Sequence, residues 1–261
     1  FNIARAVEHA VSSPKDVGAI KYLYCPPGED EKGWFAERMD IVTPFAEEAG
    51  VPIQAWTGFG MDAVVWFTGT EKAIMMSMDE PEAFHKLIDI ITETDEARTD
   101  LAASHPGVDI VTERGWYSST DFWSPALFDE FIFEHIKTLA DAAHRHGKKF
   151  GYVMTTGIEI LGPRLADAGV DVLYFVDPID PVLQGRLNLP KIRDLLSDRM
   201  CIAGGVSSLA LDKGKEALEK QIRESMEVFN PTKRFILHPV DALFPDTPWE
   251  GIEDLIEIWK E

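Results

Sequence analysis

The chain has 261 residues, 45% of them apolar, enough to bury one substantial core, and a single α/β domain is the economical expectation at this length. Its formal charge of −20 opposes phosphodiester backbones and anionic lipid surfaces, which disfavours nucleic-acid and membrane-surface partners and leaves small-molecule chemistry as the default. The two cysteines, Cys25 and Cys201, make neither a disulfide framework nor a CxxC metal pattern, and no run approaches the roughly 18 apolar residues of a membrane helix, so a soluble protein of the reducing cytoplasm is expected.

The chain opens at Phe1 without a signal-peptide pattern and is expected to begin inside a longer protein. Residues 1–33 read as an N-terminal segment and loop, with 19–24 as a seventh, less regular strand and the acidic, proline-containing stretch 25–32 as a surface loop. From residue 34 to 261, short β-rich apolar runs alternate with long amphipathic segments, the mark of parallel βαβ units. Strands are predicted over 51–57, 108–113, 149–154, 170–176, 200–204 and 234–238, several of them apolar on both faces as buried parallel strands are.

The helices carry explicit start signals. Asp79-Glu80-Pro81-Glu82 reads as an N-cap with Glu at N3, ahead of Phe84, Leu87, Ile88 and Ile91 at helical spacing. Ser124-Pro125 starts a second, with Leu127, Phe128, Phe131, Ile132, Ile136 and Leu139 on one face and Gly147 just past its end. Thr247-Pro248 starts the last, with Ile252, Leu255, Ile256 and Trp259 expected to face inward. Six or seven strands fall short of the eight of a closed barrel, and the expectation is an α/β fold of the (β/α)8 TIM type lacking N-terminal elements in this chain.

Trp123-Ser124-Pro125-Ala126-Leu127-Phe128, His146-Gly147-Lys148-Lys149 and Ala168-Gly169-Val170-Asp171-Val172-Leu173, in that order, resemble the uroporphyrinogen decarboxylase superfamily. Residues 199–206, 235–237 and 245–248 are similar to that superfamily's last two βα units, and the resemblance runs over roughly residues 40–261. It implies a barrel whose pocket lies at the carboxyl ends of the strands. It also implies either a decarboxylase or a zinc-dependent methyltransferase serving corrinoids and thiols, and a homodimer in either case. This chain departs from both patterns. The decarboxylases' histidine after the last strand falls on Asp241, and their arginine-containing N-terminal segment has no counterpart here. The methyltransferases' His-x-Cys and distal Cys fall on Val153, Thr155 and Asp241, a set poorly suited to tetrahedral zinc, so no metal is expected.

Glu113, at the end of a predicted strand, can act as a general acid or base, and its neighbour Arg114 can clamp a carboxylate; the alternative is a mutual surface ion pair. Asp241 stands where the resemblance marks function in two chemistries, or merely stabilises its turn, and His238 closes the last strand as a proton carrier or as a satisfied core residue. Tyr152, Thr155 and Thr156 offer hydroxyls near the expected pocket, and Asp177 either projects into its mouth or terminates its strand. Trp66, Trp116 and Tyr117 supply rings suited to a flat apolar ligand, including a tetrapyrrole. These readings favour a decarboxylase-like enzyme without a cofactor, acting on a carboxylated, partly apolar molecule. The rivals are a zinc-less methyltransferase using a corrinoid protein partner or a folate, and a non-catalytic binding barrel.

Overall fold

The computed structural model describes residues 6–260, apart from 181–184, 187, 231–233, 241–242 and 244–245. It divides into two compact units, Phe1–Tyr152 with Ala168–Val170, and Val153–Asp167 with Asp171–Glu261.

In the first unit the segment expected as a seventh strand is instead a 3-10 turn, Val17–Tyr22. Val17, Ile20 and Tyr24 are buried while Tyr22 and Leu23 are exposed, a spacing of three and four that suits a helical turn and not the alternation of a strand. Of the stretch read as loop, 25–28 lie outside any helix, but 29–32 already belong to helix α1 (Glu29–Ala49), because Glu29, Asp30 and Glu31 occupy its first turn, where negative charge complements the helix dipole. Strand β1 (Gln54–Gly58) follows, then α2 (Gly60–Thr68), α3 (Thr70–Asp79) and the long α4 (Pro81–Ser104). Glu80, one residue later than expected, is the N-cap of α4, with Pro81 beginning the helix.

Strand β2 (Ile110–Arg114) pairs in parallel with β1 in a register that sets Gly58 opposite Glu113. A 3-10 turn, Trp116–Ser118, leads to α5 (Pro125–Phe131), where Ser124 caps as expected by accepting from the Leu127 amide at 3.3 Å. The single helix expected here is interrupted at Ile132, and α6 (Phe133–Arg145) completes it, burying His135, Ile136 and Leu139. Strand β3 (Lys149–Val153) lies next to β2.

The second unit starts with α7 (Ile158–Ala168) and the wholly buried β4 (Val172–Val176). A two-residue antiparallel pair follows, β5 (Ile179–Asp180) with β6 (Gly185–Arg186), then α8 (Leu189–Leu196) and β7 (Cys201–Ser207). A 3-10 turn, Ser208–Ala210, precedes α9 (Lys215–Phe229), β8 (Phe235–Val240) and α10 (Trp249–Lys260). β7 lies between β4 and β8, parallel to both.

The inward face of α10 differs from the expected one. Gly251 and Ile258 are buried with Leu255 packed beside them, while Ile256 and Trp259 are 44% and 67% exposed. The cause lies at Gly251, where a Cβ would stand 2.1 Å from the Leu211 carbonyl oxygen. The helix approaches backbone to backbone through its glycine, and that contact fixes which stripe turns inward.

Candidate active site

At the carboxyl ends of the first unit's strands, ionisable groups are drawn into the core. Glu113, near the end of β2, is 1% exposed, and its Oε1 lies 2.9 Å from Nε2 of His135 on α6. The other ring nitrogen, Nδ1, is 2.7 Å from the Thr92 hydroxyl on α4. That hydroxyl spends its one proton on the Ile88 carbonyl at 2.8 Å, so it can only accept from the ring. With the Thr92 hydrogen on Ile88, Nδ1 carries a hydrogen, and the short Nε2–Oε1 contact then holds one more proton, on the ring or on the carboxyl.

A second carboxylate backs the histidine. Asp95, fully buried on α4, accepts from the amides of Phe59 and Gly60, each at 2.9 Å, at the start of α2. Tyr24 donates to its other oxygen, and Arg98 stands 3.8 Å away. With its Oδ2 3.9 Å from His135 Nε2, Asp95 adds negative potential to the ring. Burial raises the Glu113 carboxyl above its ordinary value against the opposing pull of His135. For His135 burial works downward, but the Glu113 charge and hydrogen bond, with Asp95, outweigh it and the ring is raised. Both directions say that the pair keeps its proton.

Gly60 makes room for this arrangement. With φ +40, it would place a Cβ 2.1 Å from Glu113 Oε1 and 3.0 Å from His135 Nε2. The remaining Glu113 oxygen, Oε2, is buried and accepts no hydrogen bond from the described residues.

Arg114 leaves Glu113 and faces Asp62 on α2, its Nε 3.4 Å from Asp62 Oδ2, so the alternative of a mutual Glu113–Arg114 ion pair does not hold. Asp62 is fully buried, takes the Tyr117 amide at 3.1 Å on Oδ1, and is pushed up to about 6 by burial. The Arg114 guanidinium lies over the rings of Trp116, Trp66 and Phe59. Buried Tyr152 donates to Ser118 Oγ at 2.7 Å, and its hydroxyl is raised by burial and by the Glu113 charge. Glu113, Arg114, Trp116, Tyr117, Tyr152 and Trp66 thus belong to the first unit.

Thr155, Thr156, Asp177 and His238 belong to the second. Asp177 accepts from Ser207 Oγ at 3.3 Å, at the ends of β4 and β7. His238 lies 5.4 Å from the ring of Phe175 and is lowered by burial, so it stands neutral at physiological pH. Phe175 has φ 67, a backbone conformation that a residue with a bulky side chain avoids, at a register shift between β4 and β7. Thr156 is buried and Thr155 partly so, while Asp241 lies outside the described residues.

Sequence reasoning passed over His135, Asp95, Asp62, Thr92 and Gly60. The signal was present for two of them. His135 sits on the same stripe as Ile132, Ile136 and Leu139, and Asp95 continues the spacing of Ile88 and Ile91; a charge on an apolar face is costly unless paired.

Residues 7–261 match the family model described as uroporphyrinogen decarboxylase (URO-D). The chain belongs to the uroporphyrinogen decarboxylase family. That family has the α/β, (β/α)8-barrel fold, and its members are enzymes, decarboxylases and methyltransferases among them. Among solved structures, this URO-D-family chain is similar to a methyltransferase from Methanosarcina mazei, with TM-score 0.65 and 18% identity over 84% of this chain. The match spans 62% of the length of that methyltransferase. It is also similar to the apo form of the E. coli 3-keto-D-glucoside 4-epimerase YcjR, with TM-score 0.50 and 11% identity, covering 98% of this chain and 97% of that one. At such identities the likeness concerns the fold. The zinc of the methyltransferase pattern is not suited by the residues here. Val153, fully buried at the end of β3, has a hydrocarbon side chain, and Thr155 offers only a neutral hydroxyl.

Proposed function

We propose that this URO-D-family chain is a decarboxylase-like lyase acting on a carboxylated, partly apolar small molecule, with Glu113 as the proton-carrying group. The observation that supports it is the buried Glu113–His135 contact of 2.9 Å, set so that one proton must lie between the two residues. Decarboxylation breaks a carbon–carbon bond, releases CO2 and leaves the bonding pair on carbon, which then takes a proton. In this reading a proton held by the pair goes to carbon from Glu113, whose Oε2 spends no hydrogen bond within the described residues. His135, held through Thr92, balances the charge that develops on Glu113, and solvent restores the proton after release of product. Arg114, from the same unit, holds a carboxylate that is not lost. Tyr152, in the first unit with them, orients the substrate.

Methyl transfer with a corrinoid carried by a partner protein is the second reading. The fold likeness to the methyltransferase favours it, and the donor set at Val153 and Thr155 weighs against its zinc-dependent form.

The test is to supply uroporphyrinogen and a panel of aromatic carboxylic acids in deuterated buffer, following CO2 release and deuterium at the carbon that carried the lost carboxyl. Product forms with the unmodified chain, and Glu113→Gln lowers its rate by about 100-fold or more. Full turnover in Glu113→Gln would refute the assignment of Glu113, and methyl transfer from an added methylated phenol to added cobalamin, with no CO2 released from the acids, would replace this reading by the second.

A further inference from the structure

The side chain of Arg114 is boxed on three sides by aromatic rings. Its guanidinium carbon is 4.4 Å from the Trp116 ring centroid, 5.2 Å from Trp66 and 5.6 Å from Phe59. Phe59 and Trp66 themselves lie 5.2 Å apart. Behind the guanidinium, Asp62 is fully buried and is fixed through the Tyr117 amide. Yet neither Arg114 Nε nor Asp62 Oδ2 makes a hydrogen bond among the described residues, although they face each other at 3.4 Å.

A guanidinium in this setting is oriented but not spent. Its Nε is inaccessible while the side chain as a whole is 34% exposed, so the accessible part lies toward the terminal Nη edge. That edge is the fork that binds carboxylates bidentately. Trp66, at 45% exposure, adds accessible aromatic surface beside it. Packing against three rings has already removed much of the side-chain freedom that binding would otherwise cost.

We infer that this cluster receives the carboxylate of a planar, π-conjugated ligand, with the carboxylate on the Arg114 fork and the ligand ring against Trp66. Asp62 is the positioning residue that aims the fork. The inference rests on the substrate class proposed above and narrows it. A saturated carboxylate gains the ion pair without the stacking, and a neutral aromatic gains the stacking without the ion pair.

Isothermal titration of the unmodified chain with benzoate, cyclohexanecarboxylate and benzamide decides the point without any variant. Benzoate binds, and the other two bind about tenfold more weakly or worse. Arg114→Lys, which keeps the charge and loses the planar fork, weakens benzoate by a further factor of about ten. Equal affinities for benzoate and cyclohexanecarboxylate, absence of benzoate binding at millimolar concentration, or an unchanged constant in a folded Arg114→Lys variant would each overturn the inference. Glu113→Gln separates the two proposals. Benzoate affinity retained with turnover unaffected removes the role of Glu113 and leaves this site standing, whereas turnover lost with no benzoate preference removes this site and leaves Glu113.

Discussion

Glu113 on β2 and His135 on α6 meet across a buried contact of 2.9 Å, and the hydrogen-bond inventory around them leaves one proton to be placed on the line between them. A carboxylate and an imidazole withdrawn this far from water cost free energy unless each satisfies the other. Such a pair is correspondingly sensitive to pH and to substitution on either side.

The pH dependence of stability follows from the raised folded-state values of both groups. Protonated His135 contributes stability in full below its unfolded value near 6.5, and that contribution is lost as pH rises through its higher folded value. Glu113 acts with the same sign from its ordinary 4.5 upward, because its protonated form is favoured by folding. Urea unfolding of His135→Asn should show a loss of about 3 kcal/mol at pH 5.5, and the gap to the unmodified chain should narrow at alkaline pH.

Asp62 gives a prediction with a gain. Its carboxyl is raised from 3.8 to about 6, so above pH 6 the folded chain holds a buried charge that the unfolded chain would carry in water. A rise of that size is worth at most about 3 kcal/mol. Asp62→Asn should therefore raise the thermal midpoint at pH 7.5, with the gain fading as pH falls toward 4, even as benzoate affinity drops through misalignment of Arg114.

Gly60 tests the tightness of the pair. Any side chain there meets Glu113 at 2.1 Å and adopts φ +40, so Gly60→Ala should destabilise the chain by about 2–4 kcal/mol in chemical denaturation. Gly33, whose Cβ would meet nothing within 4 Å inside exposed helix α1, is the control, and Gly33→Ala should stabilise slightly.

Tyr24 reports on the carboxylate behind the histidine. Its hydroxyl donates to Asp95, which is wholly buried. Tyr24→Phe removes one of that oxygen's donors and should cost about 1–3 kcal/mol by thermal or urea unfolding.

Much of the fold was legible because the relevant signals are local. Ser124-Pro125 announced α5 through a cap that the structure contains, and the apolar runs at β2, β3, β4 and β7 appear where buried parallel strands were expected. The misreadings arose where tertiary contacts decide. In α10, four apolar residues could have formed the buried face, and the approach of Gly251 to the Leu211 carbonyl chose another one. Around 19–24 the apolar run was too short to separate a strand's period from that of a 3-10 turn.

The site was legible in a similar, partial way. A barrel places chemistry at strand ends, which directed attention to Glu113 and Arg114. Their partners come from helices. Asp62 and Arg114 are 52 positions apart, and no periodicity links a strand end to the buried stripe of α2. A carboxylate next to an arginine suggested an ion pair within β2, but neighbours on a strand point to opposite faces, and each found its partner on another helix.

The shared proton is tested most directly by 13C NMR of the Glu113 side-chain carboxyl through a pH titration. The expected protonation midpoint lies above the ordinary 4.5, accompanied by a ring shift of His135 in the same titration. A midpoint at or below 4.5, with the His135 ring silent, would contradict it.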